Sequence, residues 1–245
     1  FVRRDGDRLV EGDEVFRFVS FNVPNLHMLE DPDWHLPDPW EQGDAMASIA
    51  QMGGRVARIY TLSVGESSNE IPRHVTAPGE FSEALFVALD HAIAQAEAHQ
   101  IRLILPFVDQ WHWWGGIADY AAFRGLEAED FWTDEQLKED FRETIRFVLE
   151  RTNTVTGIPY AADPTILAWE TGNELDAPSE WTSEMVDFIA SLAPNKLATS
   201  CSPSGAAVCA HARSIRRPSD PARAGKYGPF RSSDDSVMAY LVEPL

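Results

Sequence analysis

Apolar segments alternate with segments of helical periodicity over most of the chain, and this alternation constrains the fold more than any other feature of the sequence. Four apolar segments predict strands at residues 15–23, 55–62, 101–108 and 165–171. Helices are predicted at residues 40–53, 82–99, from Thr133 onward, and at 179–192. Because such strands are buried on both faces and are linked through helices, the sequence predicts an α/β fold with a parallel sheet.

A closed (β/α)8 barrel and an open doubly wound sheet both fit this alternation. The first predicted strand is not followed by a GxGxxG sequence, so a dinucleotide site has no support. The predicted strands begin near residues 15, 55, 101 and 165, and eight units of this size would need roughly 350 to 400 residues. With 245 residues, the chain is expected to hold about four to five βα units.

Charge and composition argue against several classes of partner. The net charge is −19, whereas a protein that binds nucleic acid or anionic lipid is usually basic, so we expect neither partner. No uninterrupted apolar run of about 18 residues occurs, so we expect no membrane span. The histidines are scattered without CxxC or HxxxH spacing, so we expect no metal site. Cys201 and Cys209 fit either a small disulfide loop or two thiols, and both readings stay open.

Tryptophan is frequent, and five of the eight tryptophans lie in or near predicted loops: Trp34, Trp40, Trp111, Trp113 and Trp114. One explanation is that they fill the core. The other is a binding role, because a large ring left at the surface usually has a partner. Sugars, whose rings have flat apolar faces, are one such partner.

The chain changes character near Thr199. Residues 199–245 contain six Lys or Arg and four Asp or Glu, a net charge of +2, so the first 198 residues carry −21. We therefore predict part of a barrel at residues 1–198 and an atypical tail at 199–245, in which residues 236–242 resemble a strand. Two interpretations of the tail stay open: a disordered linker, or a sequence unrelated to the barrel that a frame error or altered splicing introduced.

The segment 166–175, ILAWETGNEL, carries the clearest chemical signal. It follows the fourth predicted strand with Asn173 and Glu174, and barrel enzymes build their active sites at such strand ends. Glycoside hydrolysis uses two carboxyl groups, one of which donates a proton. A glutamate at a strand end can also act only as a local cap or ion-pair partner. Glu170 would lie about 13 Å from Glu174 along a strand, too far for the paired role, so we expect it to support the site or the barrel interior.

Several motifs, taken in order, resemble glycoside hydrolase family 5, and most of all its endo-β-1,4-mannanase branch. They are FVSFN (18–22), VARIY (56–60), IRLILPFVDQW (101–111), FWTD (131–134), RTNTVTG (151–157) and DPTILAWETGNE (163–174). The resemblance covers residues 15 to about 197. It implies a (β/α)8 TIM barrel, of which this chain would form the N-terminal part.

The resemblance also implies roles for individual residues. Glu174 would be the acid/base of an endo-acting, retaining hydrolase of β-1,4-mannan. Five residues would bind the substrate or orient groups of the site: Arg58, Asn173, Trp111, Tyr60 and Asn22. An enzyme of this kind needs no cofactor, and we expect it to be secreted, extracellular and monomeric, with a polysaccharide as its partner.

The sequence departs from the family in two places. Leu175 stands where a proline often follows the acid/base, a small change because a loop proline mainly fixes φ. The nucleophile of the family ends the seventh strand, and no such glutamate follows Lys196 in a matching context; Glu243 is strand-like but nearly terminal. We therefore expect a truncated chain that is weakly active or inactive. A β-1,4-glucanase of the same family and a non-catalytic sugar-binding remnant remain alternatives.

Overall fold

The computed structural model of the chain describes residues 1–66 and 71–200. The predictions for Cys201, Cys209, Glu243, the strand at 236–242 and nearly all of the tail lie outside these residues. The described strands are β1 (Val2–Asp5), β2 (Arg8–Glu11), β3 (Glu14–Val15), β4 (Ser20–Asn22), β5 (Val56–Arg58), β6 (Val75–Ala77), β7 (Glu80–Phe81), β8 (Arg102–Asp109), β9 (Ile166–Asn173) and β10 (Leu197–Thr199). The described α-helices are α1 (Pro39–Gln51), α2 (Glu83–Ala98), α3 (Ile117–Ala122), α4 (Glu135–Glu150) and α5 (Ser179–Leu192).

Five of these strands form one parallel sheet in the order β4-β5-β8-β9-β10. The spatial order follows the chain order, and a helix connects each strand to the next. A doubly wound sheet would reverse its strand order at a switch point, whereas a barrel adds each strand beside the last. The described residues therefore form a partial (β/α) barrel with four complete βα units, as the sequence predicts, followed by a fifth strand.

The two long strands are buried on both faces because successive residues point to opposite sides of the sheet. Every residue of β8 after Arg102, and every residue of β9 before Asn173, is buried. Phe107 of β8 faces the helices, where its ring lies 5.3 Å from Trp169 and 6.2 Å from Phe141 of α4. Each fully buried side chain of this size stabilises the fold by about 1.5–3 kcal/mol.

A small antiparallel sheet closes the end of the barrel at which the strands begin. β1, β2 and β3 pair in that order, with Gly6 and Gly12 at φ +65° and +62° in the two turns. Val2 of this sheet and Phe16 just after it pack against the starts of the barrel strands, among them Val56 and Leu197. The predicted strand at residues 15–23 is therefore wrong as one element, because Val15 ends β3 and Ser20 begins β4.

Two further predicted boundaries need correction, and one strand was not predicted. The strand predicted at 55–62 is confined to Val56–Arg58, although Ile59 and Leu62 still donate backbone hydrogen bonds to β8. α4 begins at Glu135 because Asp134, not Thr133, is its N-cap; the Asp134 carboxylate accepts the N–H groups of Gln136 and Leu137 at 2.9 Å. The fifth strand, β10, was not predicted at all.

Asp90 of α2 is the centre of a buried hydrogen-bond network that connects α2 to the segment after α4. Its carboxylate accepts hydrogen bonds from Arg151 Nε at 3.0 Å, Arg151 Nη2 at 2.7 Å, Thr154 Oγ1 at 2.7 Å and Tyr160 OH at 2.5 Å. Arg151 also pairs with Glu83 in the first turn of the same helix. Burial alone would raise the pKa of Asp90, but the hydrogen bonds from Arg151, Tyr160 and Thr154 hold it below its ordinary value.

Replacing Asp90 with asparagine is expected to lower the free energy of unfolding by about 3 kcal/mol, because the buried guanidinium of Arg151 then loses an ionised partner. Chemical denaturation measures the change. Glu97→Gln, at an exposed position of the same helix, is the matched control and should stay within about 0.5 kcal/mol of the parent chain. Equal losses in the two variants would show that the network contributes nothing.

Candidate active site

The carboxyl ends of the parallel strands bring polar residues to one rim of the sheet. Asn22 ends β4, Arg58 ends β5, Asp109 ends β8 and Asn173 ends β9. The ladder pairs Asn22 with Arg58 and Asp109 with Asn173, so these ends lie side by side. Tyr60 lies two residues after Arg58, and Glu174 directly follows Asn173. The site residues that the sequence predicted at these strand ends, or just after them, therefore lie on the same rim.

A continuous chain of hydrogen bonds joins four of these groups across three strands. Arg58 Nη2 donates to Asn173 Oδ1 at 3.1 Å, and Asn173 Nδ2 donates to Asp109 Oδ1 at 3.0 Å. The Tyr60 hydroxyl donates to the other oxygen of Asp109. Since a guanidinium can only donate and an ionised carboxylate can only accept, the orientation of the Asn173 amide is determined.

Arg58 also forms a buried ion pair with Glu170, which lies inside the barrel below the rim. The Nε and Nη2 atoms of Arg58 are each 2.8 Å from Glu170 Oε2, and the two side chains are 8% and 1% exposed. A buried charge without its partner would be strongly destabilising. Glu170 is therefore a structural partner of Arg58, in agreement with its expected supporting role. The nucleophile-orienting role that the family implies for Arg58 stays a prediction.

Glu174 occupies a sharp turn just beyond β9. Its φ is +53°, a left-handed conformation that residues other than glycine rarely adopt and that often marks functional positions. Trp111 Nε1 donates to Glu174 Oε2 at 2.6 Å, so the loop after β8 reaches the predicted acid/base directly. Glu174 is partly exposed and Trp111 is 54% exposed, which leaves both accessible to a ligand.

The electrostatics of the rim are dominated by carboxylates. Burial raises the pKa of Asp109, although the hydrogen bonds from Tyr60 and Asn173 oppose this, and the charge of Glu174 adds to the increase. Burial and the hydrogen bond to Asp109 raise the pKa of Tyr60 above its ordinary value, so this hydroxyl remains protonated. Arg58 is the cation that offsets the charge of Glu170.

The five tryptophans predicted to lie in or near loops differ in burial and position. Trp114 is fully buried, so core filling explains it, while Trp111 and Trp113 are 54% and 43% exposed. Trp40 is not in a loop: it lies in the first turn of α1 and is 73% exposed. Trp34 is partly exposed and contacts Trp114 edge to face, with 6.1 Å between ring centroids.

Sequence analysis did not single out Asp109 or the two histidines beneath the site. Asp109 directly follows the apolar run 101–108, the same strand-end position that identifies Asn173, so the signal was present. His27 and His74 are fully buried, with ring centroids 5.0 Å apart, and the His27 ring also lies 5.3 Å from Trp114. Isolated histidines in sequence carry no comparable signal, because only the fold brings them together.

The hydrogen bonds of the two histidines determine their neutral forms. His27 Nε2 donates to the Thr61 carbonyl at 3.2 Å, so its Nδ1 carries the lone pair. His74 Nδ1 accepts the Ser63 backbone N–H at 3.1 Å, so its Nε2 carries the proton. Among residues 1–66 and 71–200, no group of three potential ligands is placed to hold a metal ion, and no helix is both long and apolar enough to cross a membrane.

Comparison with known proteins gives consistent matches. A family model described as GH family 5 beta-mannosidase-like matches residues 1–217. Mannan endo-1,4-beta-mannosidase 1 of Oryza sativa subsp. japonica is 31% identical over 214 residues, which are 80% of this chain and 48% of that protein. Mannan endo-1,4-beta-mannosidase 5 of Arabidopsis thaliana is 31% identical over 216 residues, with 81% and 48% covered. The chain spans about half the length of these curated relatives.

Solved structures agree. The endo-1,4-beta-D-mannanase from Thermotoga petrophila RKU-1 superposes with a TM-score of 0.65 at 31% identity, over 76% of this chain and 56% of that one. The glycoside hydrolase family 5 mannosidase from Rhizomucor miehei has a TM-score of 0.73 at 24% identity and covers 84% and 56%, a likeness that shows the fold alone. The resemblance that the motifs indicate is confirmed.

The free energy of unfolding is expected to fall as the pH is lowered from about 6.5 towards 4. Burial lowers the pKa of His27 from 6.5 to about 4, and burial lowers that of His74 well below 6.5. In this interval the unfolded chain binds protons that the folded chain does not, so stability present above pH 6.5 is lost. The shift of His27 alone corresponds to about 3 kcal/mol, which denaturation at a series of pH values measures.

The control separates this effect from the titration of carboxylates. His27→Gln keeps a donor for the Thr61 carbonyl but does not titrate, so the slope of stability against pH should become shallower. If His27→Gln has the slope of the parent chain, the buried imidazole is not responsible.

Proposed function

The chain belongs to glycoside hydrolase family 5, in its β-mannosidase-like group, and we propose that it carries the acid/base half of an endo-acting, retaining β-1,4-mannan hydrolase. The observation that carries the proposal is Glu174, held at the strand-end rim by the Trp111 indole and flanked by Asn173. Arg58 fixes Asn173 in turn. A strand-end carboxyl group with a donor on one side and an amide on the other has the surroundings that a proton donor to a glycosidic oxygen needs.

The proposed chemistry uses Glu174 twice. It first protonates the leaving glycosidic oxygen, and it then removes a proton from the water that hydrolyses the glycosyl-enzyme. The hydrogen bond from Trp111 engages Oε2, which assigns the transferred proton to Oε1. Asn173 Oδ1 and Nδ2 are occupied by Arg58 and Asp109, so the amide acts mainly by fixing the backbone from which Glu174 projects.

The second carboxylate of a retaining mechanism must lie about 5 Å from the first and must reach the sugar. The carboxylates beside Glu174 on β8 and β9 do not suit this role: Glu170 is buried and paired with Arg58, and Asp109 is buried beneath Tyr60 and Asn173. We propose that none of the 245 residues supplies the nucleophile, since no glutamate after Lys196 stands in a matching context. The 245 residues alone would then hydrolyse mannan weakly or not at all.

Mannan is the proposed substrate because curated relatives that match about four fifths of the chain are mannan endo-1,4-β-mannosidases. The two exposed loop tryptophans fit either mannose or glucose polymers, so they do not favour a β-1,4-glucanase over a mannanase. We further propose that the enzyme acts outside the cell, since its polymeric substrate is extracellular. We also propose that it is a monomer.

Joining residues 1–200 to the C-terminal half of the rice mannanase is expected to restore hydrolysis of galactomannan, measured as reducing ends released. In this chimera, Glu174→Gln should lower kcat by about 10²- to 10⁴-fold, because glutamine keeps the shape but cannot deliver a proton. Asp176→Asn, two residues further along the same exposed loop, is the matched control and should change kcat less than about twofold. Unchanged turnover in Glu174→Gln would rule out the acid/base role.

The unmodified 245-residue chain should release reducing ends from galactomannan and from carboxymethylcellulose at a rate at least about tenfold below that of the rice enzyme on galactomannan, because a retaining site with one carboxylate cannot form the glycosyl-enzyme. Turnover within tenfold of that enzyme, abolished by Glu243→Gln, would contradict the proposal and identify Glu243 as the nucleophile. Faster release from carboxymethylcellulose than from galactomannan would instead favour the glucanase alternative.

A further inference from the structure

The loop after β8 presents a second exposed tryptophan, Trp113, which contacts Tyr60 of the rim and is held by more contacts than an ordinary surface tryptophan. Trp113 Nε1 donates to Glu30 Oε2 at 2.7 Å, across 83 residues of sequence, so the loops after β4 and β8 are joined at this point. The Tyr60 ring meets Trp113 edge to face at 4.9 Å, and Trp114 lies 5.8 Å away on the buried side.

The backbone that carries the ring is equally constrained. Val64 N donates to the Trp114 carbonyl at 2.9 Å, and Gly116 N donates to Asp119 Oδ2 at 2.8 Å. Gly115 has a φ of +78° and lies so close to the Val64 carbonyl that a Cβ there would collide with it. These contacts constrain the backbone on the C-terminal side of Trp113, whose side chain is 43% exposed.

Trp40 shows what an ordinary surface tryptophan looks like in the same protein. It lies in the first turn of α1 and is 73% exposed, and within residues 1–66 and 71–200 no other ring packs against it and no group accepts its indole N–H. Trp113, by contrast, has its indole N–H satisfied by a carboxylate and its edges packed, and still leaves much of an apolar ring in solvent. A rigid, partly exposed aromatic ring lowers the entropy lost when a flat apolar partner stacks on it.

We propose that Trp113 is a second sugar-stacking platform, oriented by Glu30 and Tyr60, which extends glycan binding from Trp111 towards the loop after β4. The ligand is a β-1,4-linked mannosyl residue adjoining the one at Trp111, since the Cα atoms of residues two apart in sequence are separated by at most about 7 Å, a distance on the scale of neighbouring sugar rings. This inference rests on the proposed function and deepens it. Glu30 is a positioning residue that acts through the indole.

The test measures dissociation constants of the full 245-residue chain for mannohexaose by isothermal titration calorimetry, with circular dichroism to verify folding of each variant. Trp113→Ala should weaken binding about tenfold, because it removes the stacking surface. Trp40→Ala, the same substitution at the isolated surface tryptophan, should leave binding within about twofold. Glu30→Ala should weaken binding, and Glu30→Gln should restore it, because glutamine Oε1 still accepts the indole N–H.

The outcomes separate this inference from the proposed function. Weaker binding in Trp111→Ala together with unchanged binding in Trp113→Ala overturns the platform and leaves the mannan site standing. Absence of mannohexaose binding by the parent chain, or unchanged binding in both variants, overturns the proposed function and the platform together. Loss of affinity in Trp113→Ala with full affinity in Glu30→Ala retains the platform but overturns the positioning role of Glu30.

Discussion

The ladder between β8 and β9 determines where the chemical groups of the rim lie. Its register pairs Val108 with Gly172 and Asp109 with Asn173. Gly172 is required for this close approach, because a Cβ at that position would collide with the Val108 carbonyl oxygen. A slip of one residue would turn Asn173 to the opposite face of the sheet and break its hydrogen bonds to Arg58 and Asp109. Placement of Glu174 therefore depends on backbone pairing before it depends on any side chain.

Arg58 links this ladder to the neighbouring strand β5, because its guanidinium donates hydrogen bonds to two residues of β9 that lie at different depths in the barrel. Below the rim it neutralises Glu170, and at the rim it holds the carbonyl oxygen of the Asn173 amide. Removing the guanidinium would leave the buried Glu170 carboxylate unpaired, at a cost of about 3–5 kcal/mol. One side chain therefore both forms the internal ion pair and determines the position of the Asn173 amide at the rim.

The architecture and the strand-end residues could be predicted from sequence because both follow from local pattern. Apolar runs such as 101–108 locate buried strands, and the bounds of α5 were predicted without error. The split at residues 15–23 was missed because the strand pattern continues from one sheet into another; only the glycine turns at Gly6 and Gly12 reveal the separate sheet. Asp134 rather than Thr133 caps α4, a choice between adjacent capping residues that hydrogen-bond geometry decides. Contacts such as Glu30 with Trp113 and His27 with His74 depend on tertiary structure, so no periodic pattern in the sequence reveals them.

The loop after β8 is irregular, yet hydrogen bonds and ring contacts hold it in place. Trp111 and Trp113 face the rim, while Trp114 between them and the core packs against Tyr60 and His27. The exposed Trp113 ring therefore rests on a buried layer that contains Trp114 and the two neutral histidines. Ordering a loose loop on binding would cost about 0.5–1.5 kcal/mol for each immobilised side chain, a cost that a preformed loop avoids. The buried His27 and His74 therefore help to hold this loop in place. The exposed Trp113 ring gives the loop a surface on which a ligand can stack.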